Sequence, residues 1–465
     1  MKIKMLFVIS LALTFNLAYS QSNNSVKDIK LSDFGLHNYP TFDELNENIL
    51  NEKYLTTSSI SFRDINDNFS NITDLEWLKE ITKENKVFLI GEDHYHRFIM
   101  NLRNRLLFAL NTYDYYPLLI MEAQYSNTPF VNHYLNIIDD VRAENYFKTV
   151  IYDMITSYEE YKLLQHIRRW NKLNPNKKIQ IGYSDIEHDY KTTIKNILIP
   201  YFKKIKSDLY IDVDNLSNSD LGELILKFRN LLKIAQQKDL IGDFPFITTK
   251  YINNVIENIN STYKAYYYQF DYYRQKAIVR NIIDPAFLGD YIIKNKILIH
   301  AGGYHTPTHF PYPDNGNFYR EGSYLTYDFK LTKANTYSVR IYGLARSLNQ
   351  MAEVDLDSCL HQGWYYRRIV NNLNKVFKKG LISEKDNVLE NKVNAFEKLI
   401  IKKAIQNDNN PIIIDNIQWD EYLNISLKEN QKLYQRLKDY KDKFERYDKI
   451  IFVPQSPLII AQKKK

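Results

Sequence analysis

Six short runs rich in valine, isoleucine and leucine recur along the chain without helical spacing, at 87–90, 118–121, 179–181, 297–299, 339–342 and 450–453. Continuous apolar runs of this length fit strands covered on both faces, and longer amphipathic stretches separate them, as strands of a parallel sheet require. The expected fold is α/β, a central, mostly parallel β-sheet flanked by helices. Between Tyr190 and Tyr291 the strand signal stops. Leu221, Leu224, Ile225, Phe228, Leu231 and Leu232 repeat there at helical spacing, which predicts a helical insertion over 190–290 within a core formed by 21–189 and 291–465. A helix is also predicted over 96–110, with Phe98, Ile99, Leu102, Leu106, Leu107 and Leu110 on one stripe and Asn101, Asn104 and Arg105 opposite. Near the end, Leu433, Leu437, Tyr440, Phe444 and Tyr447 predict a surface helix that packs one stripe on the sheet.

The start of the chain breaks this pattern. Lys2 and Lys4 precede an apolar run from Met5 to Leu17, followed by Ala18-Tyr19-Ser20, the layout of a signal peptide over 1–20 cleaved near Ser20. The run is shorter than the roughly 20 residues that span a bilayer, so a periplasmic or extracellular protein without an integral membrane segment is expected. Cys359 is the only cysteine, which excludes an intramolecular disulfide, and it reads as structural. The net charge of +7 is spread along the chain apart from a tail at Lys463, Lys464 and Lys465, so no stripe suited to nucleic acid appears. Tyrosine is abundant, at 38 residues. The clusters Tyr113, Tyr115, Tyr116 and Tyr266, Tyr267, Tyr268 read as packing at helix ends.

In parallel sheets ligands bind beyond the carboxyl ends of the strands, and the residues just after the apolar runs are chemically loaded. The first run leads into Gly91-Glu92-Asp93-His94-Tyr95-His96, the second into Glu122, the third towards Asp185. The fourth leads into His300-Ala301-Gly302-Gly303-Tyr304-His305, with His309 beyond. Arg103 falls inside the apolar stripe of its helix and needs an anionic partner there, with Glu92 or Glu122 in reach. Arg274 and Asn281 share a helix face and point to the same site. Glu92, His94, Glu122 and His305 are expected to converge in one pocket, since ionisable groups entering a buried region must find partners.

With these residues in hand, the chain resembles the erythromycin esterase-like family and the wider superfamily that includes ChaN-like haem-binding and TraB/Tiki-type proteins. The resemblance rests on Gly91-Glu92-x-His94, Arg103, Ile120-Met121-Glu122-Ala123, Asn171 with Ile181 to Asp185, Arg274 with Asn281, Ala301-Gly302-x-x-His305 and Tyr447-Asp448-x-Ile450-Ile451-Phe452. It implies that Glu92, His94, Arg103, Glu122 and His305 line the pocket, and that a histidine activates water for ester or lactone hydrolysis without a bound metal. One residue, Asp93, separates Glu92 from His94 where the esterases usually have two, a spacing closer to the ChaN-like branch. Gly302 stands where the esterases usually carry histidine, so the macrolide substrate is not carried over. The expected function is an exported hydrolase of a small-molecule ester or lactone, with Asp185, Arg274, Asn281 and His300 binding substrate and no cofactor. Two alternatives use the same region. One is a metal-dependent hydrolase through Glu92, His94, Glu122 and His305. The other is a haem- or iron-binding protein through His96, His300, His309 or tyrosine.

Overall fold

The protein is described from a computed structural model over residues 54–61, 64–93, 97–155, 157–308, 320–343, 346–347, 399–400, 403–404, 406–407, 410–429, 431–453 and 456–457. The leader over 1–20, His94, His96, His309 and Cys359 lie outside the described residues.

All six apolar runs are strands. The sheet comprises β1 (Leu55–Ser59), β2 (Val87–Glu92), β3 (Leu118–Gln124), β4 (Gln180–Asp185), β5 (Ile297–Gly302), β6 (Thr336–Gly343), β7 (Ile412–Ile417) and β8 (Lys449–Val453). Their spatial order is β1-β7-β8-β6-β2-β5-β3-β4. Neighbours from β8 to β4 pair in parallel, whereas β7 runs antiparallel to both β8 and β1. The first four positions of β2, Val87 to Ile90, are fully buried, as expected of a strand with helices on both faces. Burial of each such side chain contributes roughly 1.5–3 kcal/mol before conformational entropy is counted.

The helices that bear on the core and the site include α1 (Arg97–Tyr113), α2 (Tyr158–Leu173), α3 (Asn218–Gln237), α4 (Thr249–Tyr267), α5 (Phe270–Ile283), α6 (Glu321–Tyr327), α7 (Trp419–Glu429) and α8 (Gln431–Phe444). From Tyr190 to Lys294 every element is helical, and Ser217 with Asp220 starts α3 through reciprocal side-chain and backbone hydrogen bonds. One core joins this region to the sheet, with Leu221, Phe228, Ile252 and Ile259 in the same buried cluster as Leu119 and Ile299. On α8, Leu437 and Phe444 are buried against Ile450 and Phe452 of β8, so this helix packs one stripe on the sheet as predicted.

Helix α1 departs from the amphipathic pattern. Asn101, Asn104 and Arg105 lie opposite the apolar stripe yet are buried. The segment before β2 crosses this face, and Arg105 donates to the Asn71 carbonyl at 2.8 Å and pairs with Asp74. A polar helix face thus marks a second interface, one made of hydrogen bonds.

Two glycines set how closely the loop after β5 packs. A Cβ on Gly91 would sit 2.1 Å from Thr306 Oγ1, and one on Gly303 would sit 1.6 Å from Arg340 Nη1. Arg340 is itself buried and held by Asp93, so it has little room to yield. This close approach brings the loop carrying Tyr304 and His305 over the sheet edge.

Candidate active site

The carboxyl edge of the sheet carries two polar groups on opposite faces. In register, Ile90 pairs with His300, His300 with Met121, and Met121 with Tyr183, so these side chains share one face, as does Glu92 two residues beyond Ile90. Glu122 follows Met121 and points to the other face. A register irregularity between Met121 and Gln124 adjusts its aim.

On the first face, His300 Nε2 lies 2.8 Å from Glu92 Oε2, with both groups buried. Arg103 is buried beside this pair. Burial lowers the affinity of its guanidinium for the proton, and Glu92 is the leading charge that opposes this, followed by Glu160. Its Nε and Nη2 donate to Asn104 Oδ1 at 3.0 Å, so the charge-assisted hydrogen bond expected from Arg103 to Glu92 or Glu122 is replaced by a bond along its own helix. The attraction to Glu92 acts through space.

On the second face Arg274, from the first turns of α5, is the central cation. Its Nε donates to Asp185 Oδ1 at 3.0 Å, its Nη2 donates to Asp185 Oδ2 at 2.6 Å, and Nη2 also reaches Glu122 Oε1. The other Glu122 oxygen accepts the Gly302 amide at 2.8 Å. Burial alone would raise the Asp185 carboxyl, but Arg274 and then His188 override it and hold it well below the usual carboxylate range. Likewise burial would lower the Arg274 guanidinium, and Asp185 and Glu122 hold it above its ordinary value.

His305 completes this group. Its Nδ1 lies 3.2 Å from Glu321 Oε2 and its Nε2 lies 3.4 Å from Glu122 Oε1. Glu321 opens α6, is 2 % exposed, and also accepts from Gln275. Burial would lower the imidazole's pKa, but the carboxylates of Glu321 and Glu122 raise it above the ordinary histidine value. A small cleft of about 60 Å³, partly open to solvent, lies above, lined by Asp271, Arg274, Gln275, Tyr304, His305 and Arg320.

Of the four residues expected in one pocket, the structure therefore brings Glu122 and His305 together and adds Arg274 and Asp185. Glu92 sits at the same edge but on the other face, because alternation along a strand separates positions that follow neighbouring apolar runs. His300, expected at the substrate, is instead buried against Glu92. Asn281 does not reach the cleft. It lies roughly 10 Å further along α5 than Arg274, fully buried, where its Nδ2 donates to the Ser184 carbonyl and to Asn258 Oδ1 at 2.8 Å each. Its part is to hold α5 on the end of β4. The sequence reading did not pick out Glu321, Gln275, Arg320 or His188; Glu321 follows no apolar run, and its only signal is a carboxylate at a helix start. Among the described residues, no three His, Cys, Asp or Glu side chains are grouped so as to hold a metal ion.

Next to the site, Glu187 is fully buried, and burial pushes its carboxyl up to about 7 against hydrogen bonds from Ser126 and Thr193. A carboxyl with a raised folded-state pKa binds more protons folded than unfolded, so its cost grows from pH ~4.5 to ~7 and is complete above that. Glutamine can accept the Ser126 amide, now 2.9 Å from Oε1, and donate to the hydroxyls. Glu187→Gln is therefore expected to stabilise the protein by on the order of 2 kcal/mol at pH 8 and to change little at pH 4.5, as read by urea unfolding at both values.

No family model matches the chain, and no curated protein matches it. Among solved structures, a succinoglycan biosynthesis protein superposes with a TM-score of 0.50 at 12% identity over 88% of this chain and 97% of that one. An erythromycin esterase mutant in its open conformation matches with a TM-score of 0.37 at 12% identity, over 61% of this chain and 77% of that one. Haem-binding ChaN of Campylobacter jejuni matches with a TM-score of 0.25 at 13% identity, over 57% and 85%. At 12% identity the likeness to the succinoglycan biosynthesis protein is one of fold alone.

Proposed function

We propose that the chain is an exported hydrolase that cleaves an ester or lactone bond, with water activated at His305. The observation that carries this reading is the His305 imidazole, held between the carboxylates of Glu321 and Glu122 at the cleft. Glu321 accepts from Nδ1, which fixes the tautomer and leaves Nε2 to act on water. Neutral His305 takes a proton from water, and the hydroxide adds to the carbonyl. The tetrahedral intermediate then collapses, and the leaving alkoxide takes the proton back from the imidazolium. Glu122, fixed by Arg274 and the Gly302 amide, stabilises the charged imidazole. Arg320 on the cleft wall supplies positive charge for the developing oxyanion. Asp185 and His188 hold Arg274 in place, and the Glu92–His300 pair with Arg103 braces the other face of the sheet edge. No Gly-x-Ser-x-Gly segment occurs in the sequence, which favours water over an acyl-serine. Export rests on the basic and apolar layout of residues 1–20; among the described residues no helix is long and apolar enough to cross a membrane.

The test is turnover of a panel of simple esters and lactones by purified protein, beside His305→Gln. Hydrolysis lost in the variant supports the reading, whereas no turnover of any member by the parent protein, or equal turnover by both, removes it.

A further inference from the structure

The tyrosines around 266 do not pack as helix-end residues. Tyr113 and Tyr115 are half-buried and Tyr116 is fully buried, as expected, but Tyr266, Tyr267 and Tyr268 are 46%, 57% and 63% exposed. They fall in two ring groups at the α4–α5 junction, Tyr266 with Phe270 and Tyr267 with Tyr268 and Tyr263. Tyr266 contacts Phe270 with ring centroids 5.4 Å apart, and Tyr267 contacts Tyr268 at 5.0 Å. The Tyr266–Phe270 strip begins at the site itself. Tyr266 Oη lies 3.1 Å from His188 Nδ1, and the Arg274 guanidinium lies over the Phe270 ring. In the cleft, Tyr304 is 54% exposed, with the Arg320 guanidinium over its ring. Large aromatic side chains left in water beside a cleft mark a binding surface.

From this arrangement we infer that the acyl group cleaved at His305 is carried on a neutral carbohydrate, one sugar ring stacking on Tyr304 and further units running over the Tyr266–Phe270 strip. The inference rests on the hydrolase reading and names its substrate class. The cleft, about 60 Å³ and partly open to solvent, is too small to enclose a lipid chain or a folded peptide, so a sugar ring lies against Tyr304 at its mouth with its polar substituents reaching in. Apart from Tyr304 its walls are planar hydrogen-bonding groups, Asp271, Gln275, Arg274 and Arg320, which suit hydroxyls that both donate and accept. Charge disfavours a strongly anionic ligand: Arg274 is already matched by Asp185 and Glu122, and Asp271 on the same wall opposes the charge of Arg320. An aromatic face takes the C–H face of a pyranose, and the polar groups take its edge.

The test measures binding and kinetics separately on the mature full chain. Neutral unacylated oligosaccharides of several linkages are titrated by calorimetry, and an acetylated oligosaccharide is compared with p-nitrophenyl acetate as substrate. Tyr304→Ala is expected to weaken oligosaccharide binding about tenfold, and to raise KM for the acetylated oligosaccharide about tenfold more than KM for p-nitrophenyl acetate. Tyr304→Phe, which keeps the ring, is expected to bind within about twofold of the parent. Tyr266→Ala is expected to weaken only the longer oligosaccharides. Because both side chains are exposed, unchanged thermal unfolding of each variant serves as the folding control. If esters are hydrolysed but no oligosaccharide binds at millimolar concentration, or Tyr304→Ala shifts both KM values equally, the carbohydrate inference is overturned and the hydrolase reading stands. If oligosaccharides bind and lose affinity in Tyr304→Ala but no ester is turned over, the carbohydrate site stands and the hydrolase reading falls.

Discussion

His305→Gln is expected to lower kcat/KM for ester hydrolysis by roughly 10³-fold while the protein remains folded, which is within the usual contribution of a positioned general base. Glutamine keeps a polar group in a site that is 6 % exposed and still meets Glu321 and Glu122, so little is lost in packing. What it removes is the group whose protonation can change near neutral pH. The loss should fall on kcat more than on KM, because the cleft walls formed by Tyr304, Arg320 and Asp271 are untouched. Steady-state kinetics on the best ester of the panel, with circular dichroism as the folding control, checks this. A variant within tenfold of the parent would mean that the proton is moved by another group.

Arg274→Met should cost about 3–5 kcal/mol of stability, the usual penalty for removing one partner of a buried ion pair. The guanidinium is the cation shared by Asp185, which is 2 % exposed, and Glu122. Methionine replaces its bulk but leaves two carboxylates facing each other. The sign of the pH dependence follows from the two states of Asp185. In the parent its folded pKa is depressed, so its contribution is present above the unfolded value and lost as pH falls through the folded one. Without Arg274 only the raising effect of burial and the weaker pull of His188 remain. The folded pKa then rises, and the variant's deficit should shrink as pH falls from 8 to 5. Urea unfolding at both pH values measures this, and a deficit below about 1 kcal/mol at pH 8 would show that the clamp is loosely held.

The strands were legible because buried parallel strands write themselves as unbroken apolar runs, and all six runs proved to be strands, four of them with Glu, Asp or His at or just beyond their carboxyl ends. The antiparallel edge was harder. In β1, Leu55-Thr56-Thr57-Ser58-Ser59, only Leu55 is buried, so an edge strand with polar side chains gives no apolar run. β7 begins with Ile412, Ile413 and Ile414, as apolar as the other strands, so its signal was present in the sequence. For the site, position at a strand end told which residues gather at the edge, and Glu122, Asp185 and His305 do. It did not tell which face each takes. That depends on strand parity and on the irregularity after Met121, and these send Glu92 to His300 and Glu122 to His305. Arg274 was legible from its place in the helix before β5, whereas Asn281, on the same helix face, turned out to be a brace two turns away. Glu321 meets His305 from the start of α6, sixteen residues further along the chain, and no periodicity records that.

The most direct test of the central claim is the pH dependence of kcat/KM for ester hydrolysis by the parent protein and by Glu321→Gln. General-base catalysis needs neutral His305, and its neighbouring carboxylates raise its pKa, so the parent rate should climb with pH through an apparent pKa above 6.5. Removing the Glu321 charge takes away the leading raising influence, so the acid limb should move to lower pH and the imidazole should lose its orienting acceptor. An acid limb at the same pH in both proteins, or none between pH 5 and 9, would contradict the assignment of His305 as the base.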